Sequence, residues 1–209
     1  MSYRHIGMKK DKIKEHVKTA YNFVFKEDSV PATITFVVLS LLFIWFIFFP
    51  TLSLITGTEL PIVVVISSSM SQSDTWPEQV AYCDTGICTQ RDYYEERSMW
   101  EDFSSYPLSN GFNRGDIILS VSPANIERGD VVIFDSPQSS HPVIHRVIEN
   151  NNGEYVTKGD NNPEPNEEIG ETSLSENSIV ANAKLRVPYL GYIKLLAVDT
   201  LLYINNIIR

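Results

Sequence analysis

One long apolar run dominates the pattern of hydrophobic and polar positions. No charged side chain occurs between Ser29 and Thr58, and nearly every residue from Thr33 to Phe49 is apolar. About 20 apolar residues at 1.5 Å rise cross a hydrocarbon core of roughly 30 Å. Ala32 to about Thr56 is therefore predicted to be a transmembrane helix, with Pro50 expected to kink it or to end its regular part. The run is too long for the apolar region of a cleaved signal peptide, and no small-x-small cleavage site follows it. It reads as a permanent anchor.

Before the run, Ile13, Val17, Ala20, Tyr21 and Val24 recur at spacings of three and four. That spacing predicts an amphipathic helix over 8–26, either at a membrane surface or ordinarily solvated. After the run the period becomes that of strands. Pro61–Ile66 is a β-branched stretch that reads as a strand buried on both faces. Arg114–Val121 and Glu127–Phe134 each follow a Gly-Asp turn with an apolar strand, and 143–149 alternates, turns at Asn150–Gly153 and returns at Glu154–Lys158 as a hairpin. Residues 71–113 are polar and aromatic with little periodicity, and are expected to be an insertion between two strands. The segment 193–209 is apolar but carries Lys194 and Asp199, so it is expected to be an interfacial helix or to pack on the domain.

Charge orients the chain. Residues 1–30 hold seven Lys/Arg against four Asp/Glu, whereas 58–186 hold 8 against 21. The positive-inside rule then predicts a cytoplasmic segment 1–30, an anchor 31–57 and an exocytoplasmic domain 58–192. The acidity of that domain argues against nucleic acid as a partner. Cys83 and Cys88 stand five residues apart, as a small-loop disulfide or as two free thiols.

The candidate chemistry lies in Val65–Met70, His145–Glu149 and Thr157–Asn162. A serine hydroxyl attacks well only when a base takes its proton, and histidine titrates near working pH. A carboxylate on the other ring nitrogen fixes the tautomer. The serine cluster follows a strand and begins about ten residues beyond the anchor, so its hydroxyls stay within some 40 Å of a bilayer at about 3.3 Å per residue. His141, beside Pro142, reads as a solvated loop residue. Asp116 and Asp130, in Gly-Asp turns, read as turn formers.

The wording of these segments resembles signal peptidase I, specifically its archaeal and endoplasmic-reticulum Ser-His branch. The residues that carry the resemblance are Pro61-Ile-Val-Val-Val-Ile-Ser-Ser-Ser-Met70, Gly115-Asp-Ile-Ile-Leu, Arg128-Gly-Asp-Val-Val-Ile-Phe, His145-Arg-Val-Ile and Lys158-Gly-Asp-Asn-Asn. The resemblance covers roughly 58–70 and 114–192. It implies a mainly β, signal-peptidase-like or LexA-like antiparallel coiled fold with one N-terminal transmembrane helix. It also implies a serine endopeptidase that removes signal peptides from preproteins, with Ser69 as nucleophile, His145 as base, Asp160 as orienting acid and Ser67 as an oxyanion helper. No metal or cofactor is expected. The implied partners are preprotein signal peptides, the lipid bilayer and other membrane subunits, at the cell membrane or, in a eukaryote, the endoplasmic reticulum. Two departures stand out. Asn166 occupies the position of a second family aspartate, leaving Glu167 or Glu168 as substitutes, and shorter family members lack the insertion. Asn166 keeps open an inactive or regulatory homologue that binds preproteins without cutting. An unrelated membrane-anchored binding ectodomain is the remaining alternative.

Overall fold

The computed structural model describes residues 3–192, 195 and 196, with side chains from 12 onward. The C-terminal helix expected over 193–209 lies, but for those two residues, outside the described ones. The chain divides into two units, Met1–Leu52 and Ser53–Arg209.

Helix α1 covers Tyr3–Lys26 and includes the expected amphipathic stretch; Ile13, Val17 and Tyr21 are exposed along it. Ser29 caps the next helix, its hydroxyl accepting from the Ala32 N–H, and Pro31 stands in the first turn, where its missing N–H costs nothing. From there one helical run extends over Val30–Thr56, as α2 Val30–Phe43, a π-helical stretch Ile44–Phe48 and α3 Phe49–Thr56. It is long and apolar enough to cross a membrane, and only 6% of its most apolar window is buried. It is thus no core helix of a folded domain, for its Leu, Ile, Phe and Trp side chains face outward. Pro50 does not end the helix. The Phe49 N–H bonds to the Ile44 carbonyl, five residues back, so the turn before the proline widens and makes room for its ring.

The second unit is built on a curled antiparallel sheet. Its strands are β1 Ile62–Val64, β4 Ile117–Val121, β5 Val131–Phe134, β6 Val143–Asn150, β7 Glu154–Lys158, β8 Leu174–Ser175 and β9 Ile179–Val187. Between β1 and β4 in sequence lie the hairpin β2 Val80–Cys83 and β3 Gly86–Thr89, followed by helix α4 Gln90–Glu96. The sheet order is β1-β4-β9-β5-β6-β7-β8, which bears out the mainly β expectation and the predicted β6–β7 hairpin. One face buries Val132, Phe134, Val147, Tyr155 and Leu174; a second cluster joins Val65, Met70, Phe112, Ile118, Val131 and Ala183.

One expectation changes. The Pro61–Ile66 segment is not a strand buried on both faces: β1 is an edge strand, and Ile62, Val63 and Val64 are half-buried. The 71–113 insertion lies between β1 and β4 and carries a core of its own. Tyr93, Tyr94, Met99 and Phe103 are buried, and with Trp76, Trp100 and Tyr106 they form a core against Ile148 and Val156 of the sheet. A bulge at Ile148 between β6 and β7 breaks the alternation and gives that side chain to the insertion. Cys83 and Cys88 are bonded to each other across the β2–β3 turn.

Candidate active site

The end of β1 and the start of β6 are unpaired on facing sides. Among the described residues, strand β1 pairs only with β4. Strand β6 pairs with β5 from Val143, but β7 reaches it only at Arg146, opposite Lys158. Between these two free edges lies a cavity of about 620 Å³, lined by Ile62–Ser67, Ser69, Phe112, Ser139, His141–His145 and Ile169, among others. Its walls are mostly aliphatic. The polar groups in it are hydroxyls, imidazoles and main chain.

Ser69 stands in the turn that follows β1, half-buried, and its Oγ lies 3.1 Å from the Oγ of Ser67. The turn closes through the Ser71 N–H to the Ser68 carbonyl. From the other side, the Asn161 N–H donates to the Ser69 carbonyl at 2.8 Å and the Asn161 side chain to the Ser68 carbonyl at 3.1 Å. Gly159 is what lets these backbones come so close: a Cβ there would stand 2.7 Å from the Ser69 carbonyl oxygen. Among the described residues nothing accepts from the Ser69 main-chain N–H.

His145 lies on β6, 4% exposed, with its ring edge-on to Phe134. Its Nδ1 is hydrogen-bonded to a carboxylate, and that carboxylate belongs to Glu171. Glu171 is fully buried. Its Oε2 accepts from the Asn166 N–H at 2.8 Å and its Oε1 from the Thr157 hydroxyl at 3.2 Å, while its carbonyl accepts from the Thr157 N–H at 2.9 Å. A carboxylate so held cannot turn away from the imidazole.

Asp160, expected to orient His145, does something else. Both its oxygens are taken by Arg146, at 2.8 Å from Nε and 2.7 Å from a terminal nitrogen, with Tyr94 and Gln72 as further donors. Burial alone would raise its pKa, but the Arg146 guanidinium holds its carboxyl below the usual range. Arg146 spends its remaining N–H groups on the Pro107, Leu108 and Gly129 carbonyls. Arg146, buried beside His145 on β6, takes the Asp160 carboxylate in a bidentate pair. Asn166, Glu167 and Glu168 are all exposed, and none reaches His145 through its side chain. Asn166 instead caps the short 3₁₀ turn Glu167–Ile169, its Oδ1 accepting from the Glu168 N–H at 2.9 Å. Gly170 closes that turn in the left-handed region, at φ 81°, and so brings in Glu171. Glu171 was not singled out from the sequence; an Asn-to-Gly turn just before a carboxylate is a signal by which it can be found.

His141 is exposed and lines the cavity mouth. Asp116 and Asp130 act as turn formers, accepting from the N–H groups of Asn113 and Glu127. Among the described residues no group of three or more His, Cys, Asp or Glu could hold a metal ion.

No family model matches the chain. Comparison with known proteins finds relatives named as signal peptidase complex catalytic subunits. The signal peptidase complex catalytic subunit sec11 of Schizosaccharomyces pombe is 28% identical over 159 residues, 72% of this chain and 74% of its own. The human subunit SEC11C is 27% identical over 173 residues, 78% of this chain and 68% of its own. The SEC11 subunit of Schizophyllum commune is 26% identical over 166 residues, 68% of this chain and 66% of its own. The chain is a homologue of the Sec11-like signal peptidase catalytic subunits.

Proposed function

We propose that the chain is a membrane-anchored serine peptidase that removes signal peptides from preproteins, with Ser69 as nucleophile, His145 as base and Glu171 as the acid that orients it. The observation that carries this reading is that Ser69 and His145 line one apolar cavity while a buried carboxylate holds the imidazole by Nδ1. With Nδ1–H given to Glu171, Nε2 is left as the lone-pair nitrogen that takes the Ser69 proton. Ser69 Oγ bonds to the scissile carbonyl carbon, and its proton passes to His145. The tetrahedral oxyanion draws on the Ser69 main-chain N–H, with the Ser67 hydroxyl as second donor. The C–N bond then breaks, the amine leaves with the proton from His145, and an acyl-serine remains. Water, deprotonated by the same imidazole, releases the acid and restores Ser69.

Substrate geometry follows from the two free strand edges. An extended peptide adds its main-chain hydrogen bonds between β1 and the start of β6, and its side chains drop alternately toward aliphatic walls. Walls built from Ile62, Val64, Phe112 and Ile144 suit small apolar side chains rather than charged ones. In this reading the helix Val30–Thr56 is the anchor, with the basic segment before it in the cytoplasm and the catalytic unit on the far side. The relatives are named as subunits of a complex, so partner subunits belong to the same reading. Asn166 was the ground for a non-cutting homologue, and the Glu171 carboxylate on His145 supports the cutting one instead.

The test is incubation of the full chain, solubilised in detergent, with a preprotein. The parent is expected to release the signal peptide, and Ser69→Ala to leave the preprotein intact. Cleavage that survives in Ser69→Ala, or a parent that binds the preprotein without ever cutting it, sinks the reading.

A further inference from the structure

The loop from Gly159 to Pro163 touches the nucleophile turn on one side and the 71–113 insertion on the other. On the nucleophile side, Asn161 bonds to the Ser69 and Ser68 carbonyls, and the Asp160 N–H lies 3.3 Å from the Met70 sulfur. Toward the insertion, Trp76 Nε1 donates to the Asp160 carbonyl at 3.1 Å, and the Tyr82 N–H donates to the Pro163 carbonyl at 3.0 Å. The Asn162 carbonyl accepts from both Gln90 Nε2, at 2.8 Å, and Lys158 Nζ, at 2.9 Å.

Lys158 is the centre of this arrangement. It is fully buried, and its ammonium offers three protons to three oxygens: Gln90 Oε1 at 2.7 Å and the Gly159 and Asn162 carbonyls, each at 2.9 Å. The rings of Tyr93 and Tyr94 cover it at 4.8 and 5.1 Å. Of Trp76, Gln90, Tyr94 and Lys158, none lines the cavity that holds Ser69 and His145. Whatever they contribute to a reaction in that cavity must pass through the loop.

We infer that the 71–113 insertion is an internal brace for the nucleophile turn, and that Lys158, gripped by Gln90, and Trp76 are positioning residues that fix the Ser69 carbonyl through Asn161. The inference rests on Ser69 being the nucleophile. Its physical content is a chain of short contacts with no slack in it. Gly159 already brings the two backbones to the limit of close approach, so a shift of the loop moves the Ser69 peptide unit with it. The same peptide neighbourhood carries the hydroxyl and the oxyanion N–H. A displacement of about 1 Å at a reacting group is enough to cost up to about 10²-fold in rate. Tyr93, Tyr94 and Phe103 of the insertion are buried and serve this brace from inside.

Two variants of the full chain in detergent test it, read by preprotein cleavage and by amide hydrogen exchange. Lys158→Met keeps the buried stem and removes the three donors; Trp76→Phe keeps most of the ring and removes one bond. Lys158→Met is expected to lower kcat about tenfold or more with KM within about twofold, and Trp76→Phe to lower kcat about threefold. In both, the amides of 66–72 should exchange faster while those of β5 and β9 stay as in the parent. If Lys158→Met does not fold, Trp76→Phe alone decides. Unchanged kcat and exchange in Trp76→Phe overturn the brace, as does faster exchange spread evenly over β5 and β9, which marks a merely structural role. Should the parent fail to cut any preprotein, the serine peptidase reading falls, and the exchange pattern by itself still settles whether the brace exists.

Discussion

Glu171 serves three donors, which two carboxylate oxygens satisfy together and a side-chain amide cannot. One oxygen takes His145 Nδ1 and the Thr157 hydroxyl, and the other takes the Asn166 N–H. A glutamine has one carbonyl oxygen, so it leaves one of those buried donors facing an NH₂ group, and it carries no charge to stabilise an imidazolium. Glu171→Gln is therefore expected to lower kcat by about 10⁴, the loss seen when an orienting carboxylate becomes an amide in a serine protease triad. Steady-state cleavage of a preprotein checks this, and a loss below about tenfold would return the acid role to another residue. Asn166→Asp gives the opposite expectation. Its side chain is exposed and caps a 3₁₀ turn, a place where aspartate serves as well as asparagine. Activity should stay within about threefold of the parent, since the substitution changes a cap and not the carboxylate on the imidazole. A rise of tenfold or more would mean that Asn166, and not Glu171, occupies the weak point of the site.

At the level of elements, the parts whose partners are close in sequence were the legible ones. The anchor announces itself by length and apolarity, and the β6–β7 hairpin by alternation around Asn150–Gly153. Ser69 and His145 line one cavity, but the carboxylate bonded to His145 is not the Asp160 that the motifs imply. Glu171 stands 26 residues beyond His145, behind a capped turn, and Arg146 had to be seen buried before Asp160 could be recognised as its partner. Periodicity also failed for the insertion. Its aromatic side chains pack against one another and against a bulged strand, so they follow neither a period of two nor of 3.6. Strand β1 misled for a different reason: an aliphatic run reads as buried on both faces, whereas here its free edge borders a cavity. The hairpin β2–β3 offers a prediction of its own. Its disulfide closes a loop with a sequence separation of only 5, so little chain entropy is removed from the unfolded state. By the loop-entropy relation, replacing Cys83 and Cys88 by serine costs about 2 kcal/mol. Denaturant unfolding of the parent and the double variant checks it, with cleavage activity expected to persist.

For the molecule as a whole, the buried cation at Lys158 ties global stability to pH. Burial pushes its pKa down to about 7, against the partial support of Asp160 and Glu171, with Arg146 and Arg97 acting in the same direction as burial. In the unfolded chain the same amine titrates near 10.5. Below pH 7 both states hold the proton, and the fold carries the full cost of burying a charge. Between about 7 and 10 the unfolded chain binds a proton that the folded one has lost, so unfolding becomes harder as pH rises. Other shifted groups lie outside this window. Asp160 is lowered from a value already acidic, and the Tyr93 hydroxyl, raised by burial, lowers stability only at pH above the ordinary tyrosine range. The expected result is a free energy of unfolding that climbs from pH 7.5 to 9, by at most about 1.4 kcal/mol per pH unit for one proton. Lys158→Met should flatten that climb, because the titrating group is gone while the buried volume stays. Urea unfolding followed by near-ultraviolet circular dichroism in a mild detergent measures both slopes. A parent whose stability is level or falls across that window, or a Lys158→Met chain with an undiminished climb, would place the titrating proton somewhere other than beneath the insertion.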